Sequence, residues 1–251
     1  MEGRTALVTG ASRGIGEAIA DRLAAEGATV ILCSRKEPGL VEARQRILAR
    51  NPGADLRVEP CHVGHAHDIV ALFERLDAQG IVVDALVNNA GTNPYFGPMM
   101  GAEAAAWDKT FDVNLRGPFE MSRQVARRLI DADRPGAIVN VSSIFGLRAA
   151  PLQGIYGMTK AALISLTRTL AMEWGGAGIR VNAIAPGLVE TRLSSALLAS
   201  DEIVARYNER TALGRPAVPA EMAGMVLTLL SDAASYTTGQ VIALDGGWLI
   251  G

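Results

Sequence analysis

The sequence predicts one α/β domain, a doubly wound parallel sheet of seven strands with helices on both faces. Three observations predict it. Short β-branched runs alternate with longer Ala/Leu-rich amphipathic stretches from one end of the chain to the other. No repeat, low-complexity tract or linker breaks that alternation. With 251 residues, 49% of them hydrophobic and 20% charged, the chain can cover both faces of a sheet and bury a core without metals or disulfides.

The elements follow in order. A strand is expected at Thr5 to Thr9, ending at a glycine turn, and a helix at Gly14 to Glu26, stopped by Gly27. The apolar run Thr29 to Ser34 is a second strand, followed by a helix over Gly39 to Asn51. Arg57 to Cys61 and Ala85 to Asn88 are strands flanking a helix at Ala66 to Ala78, whose apolar residues recur at helical spacing. Glu103 to Ile130 reads as one long helix, then come a strand at Ala137 to Ser142 and a helix at Ile155 to Trp174. Strands at Arg180 to Ala185 and Val241 to Asp245 enclose a last helix at Pro219 to Ser231. Between them, Leu188 to Pro216 carries Leu193, Leu197 and Leu198 but little strand character, and it is too long for an ordinary connection. It is expected to be a lid over a substrate.

A formal charge of -2 and a pI near 6.0 leave no excess of basic residues for a nucleic-acid backbone or an acidic membrane. No stretch reaches the length of a membrane span, and Met1 to Val8 has no secretory pattern. Together with the ending Leu249-Ile250-Gly251, this leads to the expectation of a cytoplasmic protein. Cys33 and Cys61 have neither redox nor metal-site spacing and read as reduced core residues.

Chemistry first becomes visible after the first strand, in Thr9-Gly10-Ala11-Ser12-Arg13-Gly14-Ile15-Gly16. A tight turn needs Gly10, close approach of backbone to a pyrophosphate needs Gly14, and Gly16 lets the helix pack close. The helix start then offers free N–H groups and partial positive charge to phosphates. The spacing is not that of the phosphate loop of nucleotide hydrolases, and no Lys follows the last glycine, so ATP chemistry is disfavoured. The second strand ends in Ser34-Arg35-Lys36 where an NAD site carries an acidic residue. Arg35, Lys36, Ser34 and, from the glycine turn, Arg13 suit a 2′-phosphate, so the expected cofactor is NADP.

Tyr156 and Lys160 lie four apart on one helix face. A tyrosine's ordinary pKa, about 10, is too high for ready proton exchange near neutrality, and a neighbouring ammonium favours the phenolate. Ser143, thirteen residues before Tyr156, stands where a strand leaves the sheet and can hold a substrate oxygen.

With these residues the chain resembles the short-chain dehydrogenase/reductase family, a Rossmann-type fold, over essentially its whole length. The resemblance rests on the glycine turn, Asn88-Asn89-Ala90-Gly91, Asn114, the Ser143, Tyr156 and Lys160 spacing, and Pro186-Gly187. It implies that Tyr156 is the general acid/base, Ser143 polarises the carbonyl, Lys160 holds the nicotinamide ribose and tunes Tyr156, and Asn114 anchors a proton-relay water. It further implies cofactor contacts from Ser12 and Ile15 in the turn, from His62 and Val63, from Asn89, Ala90 and Gly91 near the adenine ribose, and from Pro186, Gly187, Val189 and Thr191 near the nicotinamide. The family usually has Asp where this chain has His62, whose neutral ring has one acceptor nitrogen and could either accept from the adenine amino group or stack on adenine. His65 and His67 stand nearby, but no metal is expected, since no Cys or carboxylate is seen to complete a sphere.

Within the family, Asn93 to Gly97, Ser34 to Lys36 and Asp245 to Gly247 are most similar to NADP-dependent carbonyl reductases of the peroxisomal type, with bacterial β-ketoacyl-ACP reductases second. No charged cluster is visible near the lid, and Tyr95, Phe96, Phe145, Leu147, Leu193 and Leu197 suggest an apolar pocket for a hydrophobic ketone or aldehyde. Three residues between Tyr156 and Lys160 speak against an enoyl reductase, which has six, and the early C-terminus speaks against the epimerase/dehydratase branch. A catalytically silent dinucleotide sensor is the reading outside enzymology. The resemblance also implies a homotetramer, with the Glu103 to Ile130 and Ile155 to Trp174 helices forming one interface and the C-terminal strand region another.

Overall fold

Strands joined by helical crossovers align in parallel, and the right-handed crossover places successive helices on alternate sides once the strand order reverses. The computed structural model, which describes residues 1 to 251, has this form. Its elements are β1 (Thr5–Thr9), α1 (Gly14–Ala25), β2 (Thr29–Ser34), α2 (Glu37–Arg50), β3 (Leu56–Pro60), α3 (Ala66–Ala78), β4 (Ala85–Asn88), α4 (Ala104–Phe111), α5 (Gly117–Asp131), β5 (Gly136–Val141) and α6 (Gly154–Trp174). There follow β6 (Ile179–Pro186), α7 (Ser195–Leu198), α8 (Asp201–Arg210), α9 (Ala220–Leu230) and β7 (Val241–Leu244). The seven strands are all parallel, in the order β3-β2-β1-β4-β5-β6-β7.

Alternation along the strands divides the core into two layers. Ala6 and Val8 face α1, α2 and α9 through Ile19, Leu23, Leu40, Ile47, Val226 and Leu230. Leu7 points the other way, to α3, α5 and α6, where Phe73, Leu76, Met121, Leu129 and Leu170 are buried. Each large side chain fully buried here stabilises the fold by roughly 1.5–3 kcal/mol. Cys33 and Cys61 belong to this second layer, both unbridged, and the hydrogen bond from Cys61 together with burial holds the Cys33 thiol well above its ordinary pKa.

Element ends differ from expectation by one or two residues, most at α2, which starts at Glu37 with Pro38 in its first turn. One difference is structural. The helix expected from Glu103 to Ile130 is two helices, α4 and α5, joined by a π-helical turn over Asp112–Arg116. Pro118 has no N–H to give the carbonyl of Asn114 four residues earlier, so regular α-helical bonding fails there and the turn widens. The expected lid is also not one open loop, since it contains α7 and α8.

Candidate active site

β1 lies between β2 and β4, so the chain leaves its carboxyl end on the side opposite to the one it leaves from β4, and a crevice opens there. A cleft of about 1430 Å³ runs along this edge. Drug-sized ligands occupy roughly 300–1,000 Å³, so this cleft has room for a dinucleotide and a second molecule. Its walls are the residues just beyond the ends of β1 through β6.

The glycine turn forms one wall. Gly10 and Gly14 have φ of +67° and +59°, which an L side chain rarely adopts. A Cβ on Gly16 would collide with the Asn89 amide and the Gly10 carbonyl, so Gly16 sits behind the wall and fixes how closely α1 approaches the turn. Arg13 at the N-cap makes no side-chain capping bond, which leaves the first N–H groups of α1 free to face the cleft beside Ser12, Gly14 and Ile15. Thr9, unnoticed in the sequence beyond its place in the motif, ties this wall to the next: its hydroxyl donates to the Val87 carbonyl and accepts from the amides of Asn89 (2.9 Å) and Ala90 (3.0 Å). Asn89, Ala90 and Gly91 line the cleft as expected, with the Asn89 amide held by the Thr9 carbonyl at 2.8 Å.

At the end of β2, Ser34 and Arg35 line the cleft and the Ser34 hydroxyl meets that of Ser12 at 3.4 Å. Lys36 does not. The chain turns directly into α2, Lys36 occupies its N-cap, and the side chain is left in solvent. His62 and Val63 are in the wall, but His62 cannot accept from an adenine amino group as expected. Its Nδ1 already accepts from the Gly64 amide at 3.1 Å, so the ring proton is on Nε2, which is a donor. Burial, reinforced by His65 and Arg35, lowers its pKa and keeps the ring neutral. The acid missing from the His65 and His67 group is supplied by Asp68, 3.4 Å from His65 and 2.8 Å from His67, in an exposed cluster beside the cleft.

Ser143, Tyr156 and Lys160 meet on the floor, all three lining the cleft. Ser143 leaves β5 in extended conformation and caps the turn Ile144–Gly146, its hydroxyl accepting from the Phe145 amide at 3.2 Å. Tyr156 and Lys160 share one face of α6, the Lys160 Nζ lying 5.5 Å from the Tyr156 ring centroid and donating to the Val141 carbonyl at 2.7 Å. Ser142 fastens α6 to the strand end through the Lys160 carbonyl at 2.9 Å. Burial pushes the Tyr156 phenol up to about 12, opposed by a hydrogen bond from Ser143, and pulls the Lys160 ammonium down to about 8. Asn114 is fully buried behind this floor. Its side chain is engaged by the backbone of Thr92, at 2.8 and 2.9 Å, and by Thr159 at 3.2 Å, so both amide protons are already donated.

Pro186, Gly187, Val189 and Thr191 line the far wall, and the Thr191 methyl lies against Gly14, where the lid begins. Of the six expected apolar residues, Phe96, Phe145, Leu193 and Leu197 line the cleft. Tyr95 turns away to donate to the Pro98 carbonyl at 2.6 Å, and Leu147 is exposed. The expectation of no charged cluster near the lid is corrected: Arg148, Arg192, Arg206 and Arg210 all line this half, together with Trp248 and Gln153. Arg206 and Arg210 are four apart on α8, and nothing in the sequence links them to Arg148 or Trp248. Gln153 caps the approach to α6 and accepts from the Asn93 amide at 2.8 Å.

Known proteins match the chain along nearly its whole length. The family model described as enoyl-(acyl carrier protein) reductase matches residues 10–249. Dehydrogenase/reductase SDR family member 4 of Pongo abelii is 38% identical over 251 residues, 98% of this chain and 88% of that protein. The crystal structure of a gluconate 5-dehydrogenase from Burkholderia cenocepacia in complex with NADP and tartrate superposes with a TM-score of 0.94 at 32% identity, over 100% of this chain and 97% of the other. A 4-hydroxyisoleucine dehydrogenase complexed with NADH gives 0.91 at 31% identity, over 99% of each chain.

Proposed function

We propose that this chain, which belongs to the short-chain dehydrogenase/reductase family, interconverts a carbonyl and an alcohol with NADP(H). The observation that carries the reading is the meeting of Ser143, Tyr156 and Lys160 at the bottom of a cleft whose other wall is a glycine turn with free helix N–H groups. Such a turn fits a pyrophosphate, because the backbone is bare where the phosphates approach. The absence of a carboxylate at the end of β2, with Ser34 and Arg35 there instead, supports NADP over NAD, as does the NADP held by the Burkholderia cenocepacia enzyme. When bound, the nicotinamide supplies or takes a hydride.

The chain's own residues handle the proton and the oxygen. In reduction, Tyr156 gives its phenolic proton to the carbonyl oxygen as that oxygen gains negative charge, and Ser143 donates a hydrogen bond to the same oxygen. The raised pKa of Tyr156 keeps that proton in place at neutral pH. In the oxidative direction the phenolate is required, and the Lys160 ammonium beside the ring favours it. Asn114 acts through position, fixing Thr92 and Thr159 around this pair, while its carbonyl, without an α-helical donor, is the group left to hold a relay water. The four apolar residues of the lid half support a ketone or aldehyde with an apolar part. One second reading, reduction of a 3-oxoacyl thioester, is favoured by the acyl carrier protein in the matched model's description.

Initial rates of NADPH and NADH oxidation across aryl ketones, aldehydes, α-diketones and a β-ketoacyl thioester test the proposal. Turnover chiefly with NADPH supports it. Tight NADPH binding with no turnover on any carbonyl would replace it with a sensor. A homotetramer through α5 and α6 is part of the proposal, supported by Phe119, Ile130, Met158 and Met172 exposed on those helices, and light scattering in solution tests it.

A further inference from the structure

The lid half of the cleft gathers more cations than anions. Arg148 follows the Ser143 turn, Arg206 and Arg210 stand one helical turn apart on α8, and all line the cleft. Ten arginines elsewhere in the chain pair with carboxylates, as Arg46 does with Glu17, Arg128 with Asp77 and Arg215 with Glu221. These three have no such partner. The one acid on this wall, Glu190, lies in the field of Arg215, which does not line the cleft. Arg210 instead lies over the Trp248 ring, its guanidinium carbon 4.3 Å from the centroid, and Arg148 lies over the same ring at 5.3 Å. The Arg210 Nε is buried without any hydrogen-bond partner.

Two like charges sharing one aromatic ring repel, and a buried donor left unmet is costly. A bound anion relieves both, and a planar carboxylate with two oxygens matches the guanidinium fork. The position tells which molecule brings it. Trp248 meets Phe145 edge-on at 6.3 Å, and the Phe145 amide donates to Ser143, so two residues, Trp248 and Phe145, link the cations to the residue that faces the reacting oxygen. Arg13 and Arg35, which serve the cofactor, are on the opposite wall.

We infer that Arg148 and Arg210, stacked on Trp248, form a carboxylate subsite, and that the substrate is a keto acid or the corresponding hydroxy acid. The inference rests on the carbonyl/alcohol reaction proposed above and names its substrate class. The apolar side chains Phe145, Leu193 and Leu197 cover the carbon chain between the carboxylate and the carbonyl.

The test compares 2-, 3-, 4- and 5-oxohexanoate with their methyl esters, and 3-oxobutanoyl-CoA, as substrates with NADPH. The wild-type chain, Arg148→Gln and Arg210→Gln are measured, each checked for folding by thermal melting. At the keto position turned over fastest, the acid is expected to exceed its ester in kcat/KM, chiefly through KM. Each substitution should then cut the acid-over-ester ratio roughly 10- to 100-fold, the loss of one charge-assisted hydrogen bond. An ester used as well as the acid at every keto position, a ratio unmoved by both substitutions, or a preference for the CoA thioester over every free acid overturns the inference. If no carbonyl compound is turned over, the reaction assignment fails, and quenching of tryptophan fluorescence by the same acids then decides the subsite. Saturable quenching by the acids, absent with the esters and lost in both variants, upholds it, and no quenching overturns it.

Discussion

The two halves of the cleft are built differently. The cofactor half is made of backbone and small residues at the ends of β1, β2 and β4, cross-tied by Thr9 and Asn89 to the strands themselves. The lid half is made of long side chains on α7, α8 and the last turn of the chain, with most of α8 exposed and Arg148, Arg206 and Arg210 without carboxylate partners. A rigid, sheet-borne half suits a ligand common to many reactions, and a half carried on a helical excursion can change its side chains without disturbing the sheet. The floor between them, Ser143, Tyr156 and Lys160, belongs to the first half by construction and faces the second.

Changes to the floor should have the largest effect. Tyr156→Phe is expected to lower kcat by about 10²- to 10⁴-fold, the usual worth of a general acid, while NADPH binding followed by fluorescence persists. Loss of binding instead would make Tyr156 a cofactor anchor and blur the division between the halves.

The floor should also be visible in stability. Lys160 has its pKa pulled below the ordinary lysine value, to about 8, so above that pH the folded chain holds it neutral while the unfolded chain still binds the proton. Unfolding therefore takes up a proton, and stability of the cofactor-free protein should rise between about pH 8 and 10.5, by up to about 3 kcal/mol. Tyr156, with its pKa raised to about 12, has the opposite sign above pH 10, where the unfolded phenol ionises first and stability falls. Urea titrations across this range should show the rise in the wild-type chain and its disappearance in Lys160→Met.

In the cofactor half, Arg35→Ala should weaken NADPH by roughly 1.5–3 kcal/mol and NADH far less, as expected for a lost charge-assisted bond to a 2′-phosphate. Lys36→Ala, on a side chain outside the cleft, should do neither. Isothermal titration with both cofactors separates these outcomes, and equal weakening of the two by Arg35→Ala would remove the phosphate assignment.

The smallest effect is expected where the lid is fastened. The Tyr207 hydroxyl accepts from the Leu188 amide at 3.0 Å and stacks its ring on Trp248 at 6.2 Å. Tyr207→Phe should cost about 1 kcal/mol through the lost hydrogen bond and raise KM for substrate, with NADPH affinity kept. An equal loss of cofactor affinity would show that the two halves move as one.

Much of this protein is determined by the sequence alone, and for a local reason. The alternation of strands and helices, the glycine turn and the Tyr156 and Lys160 face depend on residues within a few positions of each other, where backbone geometry fixes which side chains share a side. Other features depend on contacts that no periodicity carries. Arg148, Arg210 and Trp248 come from three separate segments and meet only in the folded chain. His62 shows its donor face because Gly64 takes its acceptor, Arg35 enters the cleft while Lys36 is turned out by the start of α2, and Asn114 is consumed by Thr92 across the floor. In each case the decision is which of several available partners satisfies a polar group, and that is settled by packing in three dimensions, because a buried donor or acceptor must be met by whatever lies beside it.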